Sequence, residues 1–468
     1  MSAVKGRCQE KPEGGMGKKY LLAAVFLALA ALALAAGPDR AHAFHNGGAG
    51  FCEGCHTMHN SVSAGSTPKF SPDQSSLNPG ASSWDGSPLN RQGAAGNTPS
   101  PFLLRGSDDS STCLNCHAQK GVPYRVLSVD GNVNNNPGGD FYWLSLTVTY
   151  TSMENGASYV IKGQDHGHSV VAKDFNMLAD TSFKNAPGGI YPSAALTCTS
   201  CHDPHGQVNG GTRNGQRPVI KSGSYGCSNV PKGTICGNYR LLGDTHYKGN
   251  SLAPFTFTYG APMAAADSSP AYNFAETADN KHHVDYGTHM YPPYDDISQW
   301  CENCHPWGQF AHHPVTGTSA EGVPLLYNAY IASGDLTKKI TNAAGAWLSL
   351  VPFERIISDP SQLNGQNTSG PTPANPGFPS CLTCHRAHAS AFEWSTRWDT
   401  RATFLVNSIP GPVYDGSIEH SPYGAYITNA PYYGRDIGKL FGPYQRQLCN
   451  KCHVLDFDDT TGFLPSLY

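Results

Sequence analysis

Charge is scarce in this chain. Asp, Glu, Lys and Arg make up 14% of its 468 residues, where soluble domains average about a quarter. The formal net charge is −4, so the chain has no basic excess of the kind that grips nucleic acid. Sustained apolar periodicity is also missing. Short segments such as residues 143–150 alternate like a strand, but no long amphipathic helix stands out. Methionine is sparse, at seven residues. No C-x-x-C-K sequence occurs. Cysteine pairs recur, but at irregular intervals, which excludes a short-period repeat protein.

What the chain holds in abundance is 51 glycines, 35 prolines, 15 cysteines and 20 histidines. The glycine and proline content predicts a mostly irregular fold with short helices and few strands. Twelve of the cysteines fall into six C-x-x-C-H motifs: Cys52-Cys55-His56, Cys113-Cys116-His117, Cys198-Cys201-His202, Cys301-Cys304-His305, Cys381-Cys384-His385 and Cys449-Cys452-His453. In this signature two thiols bond to the vinyl groups of a porphyrin and the next His binds the iron. Zinc knuckles and dithiol redox sites also use C-x-x-C. Neither asks for His at the following position, and here it follows all six pairs. The implied cofactors are six covalently attached haem c groups, each with its iron. Three motifs extend to C-x-x-C-H-x-x-H, adding His59, His205 and His388.

The first segment reads as an address. Lys18 and Lys19 precede an apolar run over residues 20–36, and Ala41-His42-Ala43 is an A-x-A cleavage site. Residues 1–43 are expected to be a Sec signal peptide, with the mature chain starting at Phe44. A retained anchor is the alternative, but the run is short for a membrane span. No cysteine sits at the cleavage site, so no lipoprotein anchor is expected. Cleavage removes six of the 31 Lys/Arg and three of the 35 Asp/Glu, leaving 25 basic against 32 acidic residues. It also removes Cys8. The only mature cysteines outside the motifs are then Cys227 and Cys236. In an oxidising compartment these two are expected to form a disulfide closing a small loop, with two free thiols as the alternative.

A chain this long needs a core, and six flat apolar porphyrins supply one. The expected architecture is a single domain over residues 44–468, wrapped around a continuous row of haems. A split near residues 240–270 is the alternative. The tryptophans and tyrosines are expected to form haem-pocket walls.

The second axial position decides the chemistry of each iron. An open position binds small molecules, a Met ligand raises the potential, and a second His gives a closed, low-potential carrier. Five Met and 19 His remain after cleavage; six of the His are proximal, so 13 are left over. That surplus predicts bis-His ligation throughout. In C-x-x-C-H-x-x-H the last His should lie about one helical turn beyond the proximal one, on the same side. It cannot reach the far face of its own porphyrin, but it can reach the iron of an adjacent haem. The motif therefore predicts haems in contact, with ligands donated between neighbours. The alternative is that these three are pocket hydrogen-bond donors.

Further strings flank the motifs. Phe44-His45-Asn46-Gly47-Gly48 leads into the first, and Cys201-His202-Asp203-Pro204-His205-Gly206 follows the third. Cys384-His385-Arg386-Ala387-His388-Ala389-Ser390 closes the fifth, and Pro443-Tyr444-Gln445-Arg446 runs into the sixth. Together with the motifs these strings resemble the OmcS-like hexahaem outer-surface cytochromes, a family that polymerises into extracellular conducting filaments. The resemblance spans essentially the whole mature chain. It implies an electron carrier without a substrate site, secreted through the periplasm to the outer cell surface. It implies a homopolymer whose partners are other redox cytochromes and extracellular acceptors. It also selects six distal ligands by their contexts: His45, His59, His168, His205, His313 and His388. In that family the position of His59 ligates the fifth haem of the neighbouring subunit, here the haem on Cys381 and Cys384. His166, His246, His282, His283, His289, His312 and His420 remain without a role and read as surface or loop histidines. The His-rich region 273–294 and the tail 454–468 depart from the family pattern.

Two other functions compete with the electron conduit. A multihaem reductase of the nitrite or hydroxylamine type usually keeps one iron open, often with a proximal Lys, and no C-x-x-C-K is present. A discrete periplasmic shuttle is the third reading.

Overall fold

The computed structural model describes residues 55–56, 103–118, 125–128, 138–151, 157–204, 239–248, 255–266, 284–288, 296–306, 354–356, 363, 379–403 and 449. The chain divides into Met1–His42 and Ala43–Tyr468, and all described residues lie in the second unit. Among them no helix is long and apolar enough to cross a membrane. Among the described residues the longest helix has nine residues, and the strands are two to five residues long. Much of the described chain is turn and irregular structure, as the glycine and proline content requires.

The helical turns exist to present the motifs. Helix α1 (Asp109–His117) is capped by Asp108, whose carboxylate accepts from Ser111 N at 2.7 Å. Asp109 in the first turn favours the positive end of the helix dipole. Helix α2 (Ile297–Glu302) is capped by Asp296 in the same way, accepting from Gln299 N at 2.6 Å. Helix α3 (Cys381–Cys384) follows Ser380, whose N–H donates to Thr383 Oγ1 at 2.8 Å. The third motif is a 3-10 turn (Cys198–Ser200) in which Thr197 N donates to Ser200 Oγ at 2.9 Å. A helical turn brings positions three apart to one side, so each motif can offer two thiols to one porphyrin edge.

The motifs meet in twos. Cys198 N donates to Ser110 Oγ at 2.9 Å, and Cys381 N donates to Ser298 Oγ at 3.1 Å. Ser110 and Ser298 each stand three residues before the first cysteine of their motif. The Cys113 and Cys198 side chains are hydrogen-bond neighbours, as are those of Cys301 and Cys381. The junction of motifs two and three is thus built again at motifs four and five. Ser298→Ala removes the one side chain that satisfies the first N–H of α3. It should cost about 1 kcal/mol, read as a lower denaturant midpoint with unchanged haem content.

Strands β1 (Val148–Thr151) and β2 (Ser158–Ile161) form an antiparallel ribbon. Residues 143–150 are therefore not one strand, as their alternation suggested. The first half is a 3-10 turn, Phe141–Ser145, because the buried Asp140 accepts from Tyr142 N at 2.9 Å and caps it. A second sheet joins β3 (Met263–Ala266), β4 (Val284–Thr288) and β5 (Arg355–Ile356), with β4 antiparallel to β3 and parallel to β5. Arg355 Nη2 pairs with Asp285 at 2.5 Å across it. Tyr239, Leu242, Ala261, Ala264, Tyr286 and Ile297 pack into a core that carries Trp300 and Cys301. This core anchors the fourth motif.

Candidate haem centres

Of the proposed site residues, Cys55, His56, Cys113, Cys116, His117, Cys198, Cys201, His202, Cys301, Cys304, His305, Cys381, Cys384, His385 and Cys449 are described, together with His168 and His388. Cys52, Cys452, His453, His45, His59, His205 and His313 lie outside the described residues, as do Cys227, Cys236 and the apolar run 20–36.

Odd-numbered motifs share a return strap. After the first, third and fifth motifs the proximal His bridges a later segment: His56 with Leu104, His202 with Leu242, His385 with Thr396. One residue on, a backbone N–H donates to the carbonyl of the motif's second cysteine. These bonds are Arg105 to Cys55, Gly243 to Cys201 and Arg397 to Cys384, each 2.9 Å. One residue before the bridge, each strap holds a left-handed residue: Leu103 at φ 55°, Leu241 at 55° and Ser395 at 59°. These three motifs are the ones that carry the additional x-x-H. Nothing in the sequence marks the straps beyond the Leu-Leu pairs at 103–104 and 241–242.

Three proximal imidazoles are held by their Nδ1 edge. His202 Nδ1 donates to Arg240 O at 2.9 Å, His385 Nδ1 to Trp394 O at 2.8 Å and His305 Nδ1 to Pro187 O at 3.2 Å. A proton fixed on Nδ1 leaves the Nε2 lone pair for a metal. His168, expected as a distal ligand, is held likewise, with Nδ1 2.6 Å from Ala387 O.

Two pairs of histidine rings then lie close together. His202 and His388 have centroids 6.3 Å apart with planes inclined by 62°, and His168 and His305 have centroids 5.9 Å apart, inclined by 53°. An iron between two imidazoles, at about 2 Å from each nitrogen, separates the ring centroids by roughly 6 Å. Both pairs fit. Burial lowers the pKa of His388 to about 3 and of His305 to about 4, and it also lowers that of His202. All three are neutral and available as ligands. His117 and His168 lie near enough to His388 to depress it further, so the sites of successive motifs adjoin. No group of three or more His, Cys, Asp or Glu converges among the described residues. The two His pairs match the two donors that axial ligation of one iron requires.

His388 does not stand one helical turn from His385. Helix α3 stops at Cys384, and His385 is already extended at φ −113° and ψ 159°. The segment from His388 to Ser390 instead runs between two other stretches. His388 N donates to Gly138 O, Asp140 N to Ala389 O, His168 N to His388 O and Ser390 N to His166 O, at 2.6–3.0 Å. The His388 ring stacks on Phe141 at 4.7 Å. Backbone pairing, not helical spacing, carries it away from its own proximal His.

His166 is also not a surface histidine. It is fully buried, packs near Trp143, and is bonded through Nδ1 to Ser390 O at 3.0 Å. It fastens the segment bearing His168 to the segment bearing His388. His246 is exposed, and the other five unassigned histidines lie outside the described residues.

No family model matches the chain. It is 36% identical over 467 residues to the C-type cytochrome OmcS of Geobacter sulfurreducens, covering 92% of this chain and 99% of that protein. Its fold is similar to that of the outer membrane cytochrome S filament of the same organism, with a TM-score of 0.63 and 33% identity over 87% of this chain and 99% of that one. The OmcS nanowire structure gives the same TM-score, at 35% identity over 88% and 100%. Histidines presented in twos, thiols placed on helical turns and this likeness along nearly the whole length agree: the chain belongs to the OmcS family of c-type cytochromes, which carry covalently bound haem.

Proposed function

We propose that this chain is an electron carrier, not an enzyme, that polymerises into an extracellular conducting filament. Six bis-His haems per copy form its conducting row. The observation that carries this reading is the spacing of His202 from His388 and of His168 from His305, at 6.3 and 5.9 Å. Both spacings suit a closed six-coordinate iron, which has no free position for a substrate. When bound, the haems supply the redox chemistry; the chain supplies ligands, orientation and contact between neighbours.

The repeated straps support an assignment of each distal histidine by a common step between motifs. His388, from the fifth motif, faces the proximal His202 of the third, two motifs back. The same step puts His205 of the third motif on the first haem, opposite His56. For His59 of the first motif, the step leads beyond the start of its own chain. It falls on the fifth haem of a neighbouring copy, opposite His385. His168 lies between the second and third motifs and faces His305 of the fourth. The same relation puts His313 on the sixth haem, opposite His453, and His45 on the second, opposite His117. Six distal ligands then serve six irons. A head-to-tail contact that does not close yields an open helical polymer. Such a filament hands electrons to extracellular acceptors and receives them from other redox cytochromes.

Purified native protein tests this reading. Expected are six haems per chain, filaments in electron micrographs, and an oxidised spectrum unmoved by cyanide. Ring planes inclined by 53° and 62° should give strongly anisotropic low-spin resonance signals, where parallel rings give rhombic ones. A high-spin signal equal to one haem per native chain would contradict full closure.

A further inference from the structure

Strain is concentrated in the straps. Arg240 and Leu241 have φ 54° and 55°, and Trp394 and Ser395 have φ 60° and 59°. Each non-glycine residue held there costs about 1–2 kcal/mol, and such strain persists only where the surroundings over-determine it. Here they do. Asp203 N donates to Leu241 O at 2.7 Å, and Arg386 N donates to Ser395 O at 2.7 Å. Together with the bonds from Gly243 and Arg397, these clamp each strap to the exit of its motif. The consequence of the left-handed pair is the direction of one carbonyl. The oxygen of the first residue in each pair turns onto the Nδ1 edge of the proximal imidazole, at 2.9 Å for Arg240 and 2.8 Å for Trp394.

We propose that Arg240 and Trp394 are positioning residues that act through their backbone. Each strained carbonyl fixes the tautomer and rotation of the proximal His202 or His385 and sets its strength as an electron donor. The straps thereby hold the third and fifth haems at lower potential than an unanchored imidazole would. This rests on the bis-His reading above. The physical reason is that a hydrogen bond from Nδ1–H makes Nε2 a stronger base toward oxidised iron. The Trp394 indole is not the agent, whereas the Arg240 charge, close enough to His202 to lower its pKa, acts beside the carbonyl. Trp394 is 51% exposed and meets Phe183 edge-on at 5.7 Å, and the Arg240 guanidinium lies over the Tyr239 ring at 5.5 Å.

Two substitutions at one site separate backbone from side chain. Trp394→Gly and Trp394→Val both delete the indole. Glycine adopts the left-handed conformation freely, and valine resists it. In spectroelectrochemical titration of the full holoprotein, Trp394→Gly should titrate like the parent. Trp394→Val should move a one-haem wave positive by a tenfold change in its oxidised-to-reduced ratio, about 59 mV for one electron. The low-spin resonance of that haem should shift with it. Equal shifts in both variants, or none in either, would overturn the proposal. Should Trp394→Val lose haem, Arg240→Gly and Arg240→Val are compared with each other at the third haem, because both remove the charge near His202; the valine variant should titrate positive of the glycine variant, and equal potentials would overturn the proposal. Failure of the bis-His reading would show separately, as high-spin iron or cyanide binding in the unsubstituted protein.

Discussion

His59→Ala should leave six haems on every chain and abolish filaments. Covalent attachment depends on the twelve motif cysteines, none of which the substitution touches. The distal ligand is another matter. The His388 ring lies 6.3 Å from that of His202, the proximal His two motifs before its own, and the strap that follows its motif recurs after the first and third. Moved to the first motif, that relation leaves His59 with no haem of its own chain to serve. On the proposed assignment each contact between copies carries a metal–ligand bond. Partners that only support a ligand are already worth 10–100-fold in metal affinity, so removing the ligand itself should reduce assembly by more. Soluble protomers are expected on sizing. One iron in six should turn high-spin and bind cyanide.

Gly139→Ala should have the second-largest effect, within the chain. Gly139 has φ 95°, and a Cβ there would overlap the carbonyl oxygen of Ala389. A Cβ at Gly167 would meet His388 O from the other side. The segment bearing His388 is threaded between these two glycines, so neither neighbour can yield without moving the ring. The backbone conformation alone costs an alanine about 1 kcal/mol or more, and the overlap adds to it. The expected outcome is loss of the distal ligand at the third haem. It would be seen as one high-spin iron per chain with six haems still attached, and as markedly lower resistance to denaturant. Asp140, buried next to Gly139, is the reason the effect should be large. Its carboxylate joins Ser128 N at 3.0 Å, Ser128 Oγ and Tyr142 N, so displacing this turn disturbs a buried polar network.

The chemistry of the haem motifs was legible in the sequence because it is local. Two thiols and the proximal His lie within five residues, and one helical turn places them. The distal ligands are not local. The His388 ring lies beside His202 of another motif, but helical spacing does not bring it there, since the chain leaves the helix at Cys384. What directs the ring is pairing with Gly138, Asp140 and His168, more than 200 residues earlier in sequence, and no single-sequence period reports that. The same applies to His166. Its neighbours in sequence are polar and predict a surface loop; it is buried by Trp143 and by Ser390, both remote. Alternation over residues 143–150 suggested a strand because apolar residues alternate there, but the Asp140 cap acts first and winds the beginning into a 3-10 turn. The straps are barely marked in the sequence because their content is backbone conformation: Leu103 and Leu241 open Leu-Leu pairs, and Ser395 adopts the same geometry without one.

The proposed row of closed haems runs unbroken from copy to copy. A cryo-electron microscopy map of the native polymer tests it most directly. Six porphyrins per copy are expected in one continuous row, each iron between two imidazoles, with His59 of one copy on the haem held by Cys381 and Cys384 of the next. A gap in the row at the contact between copies, or His59 bound to a haem of its own chain, would contradict it.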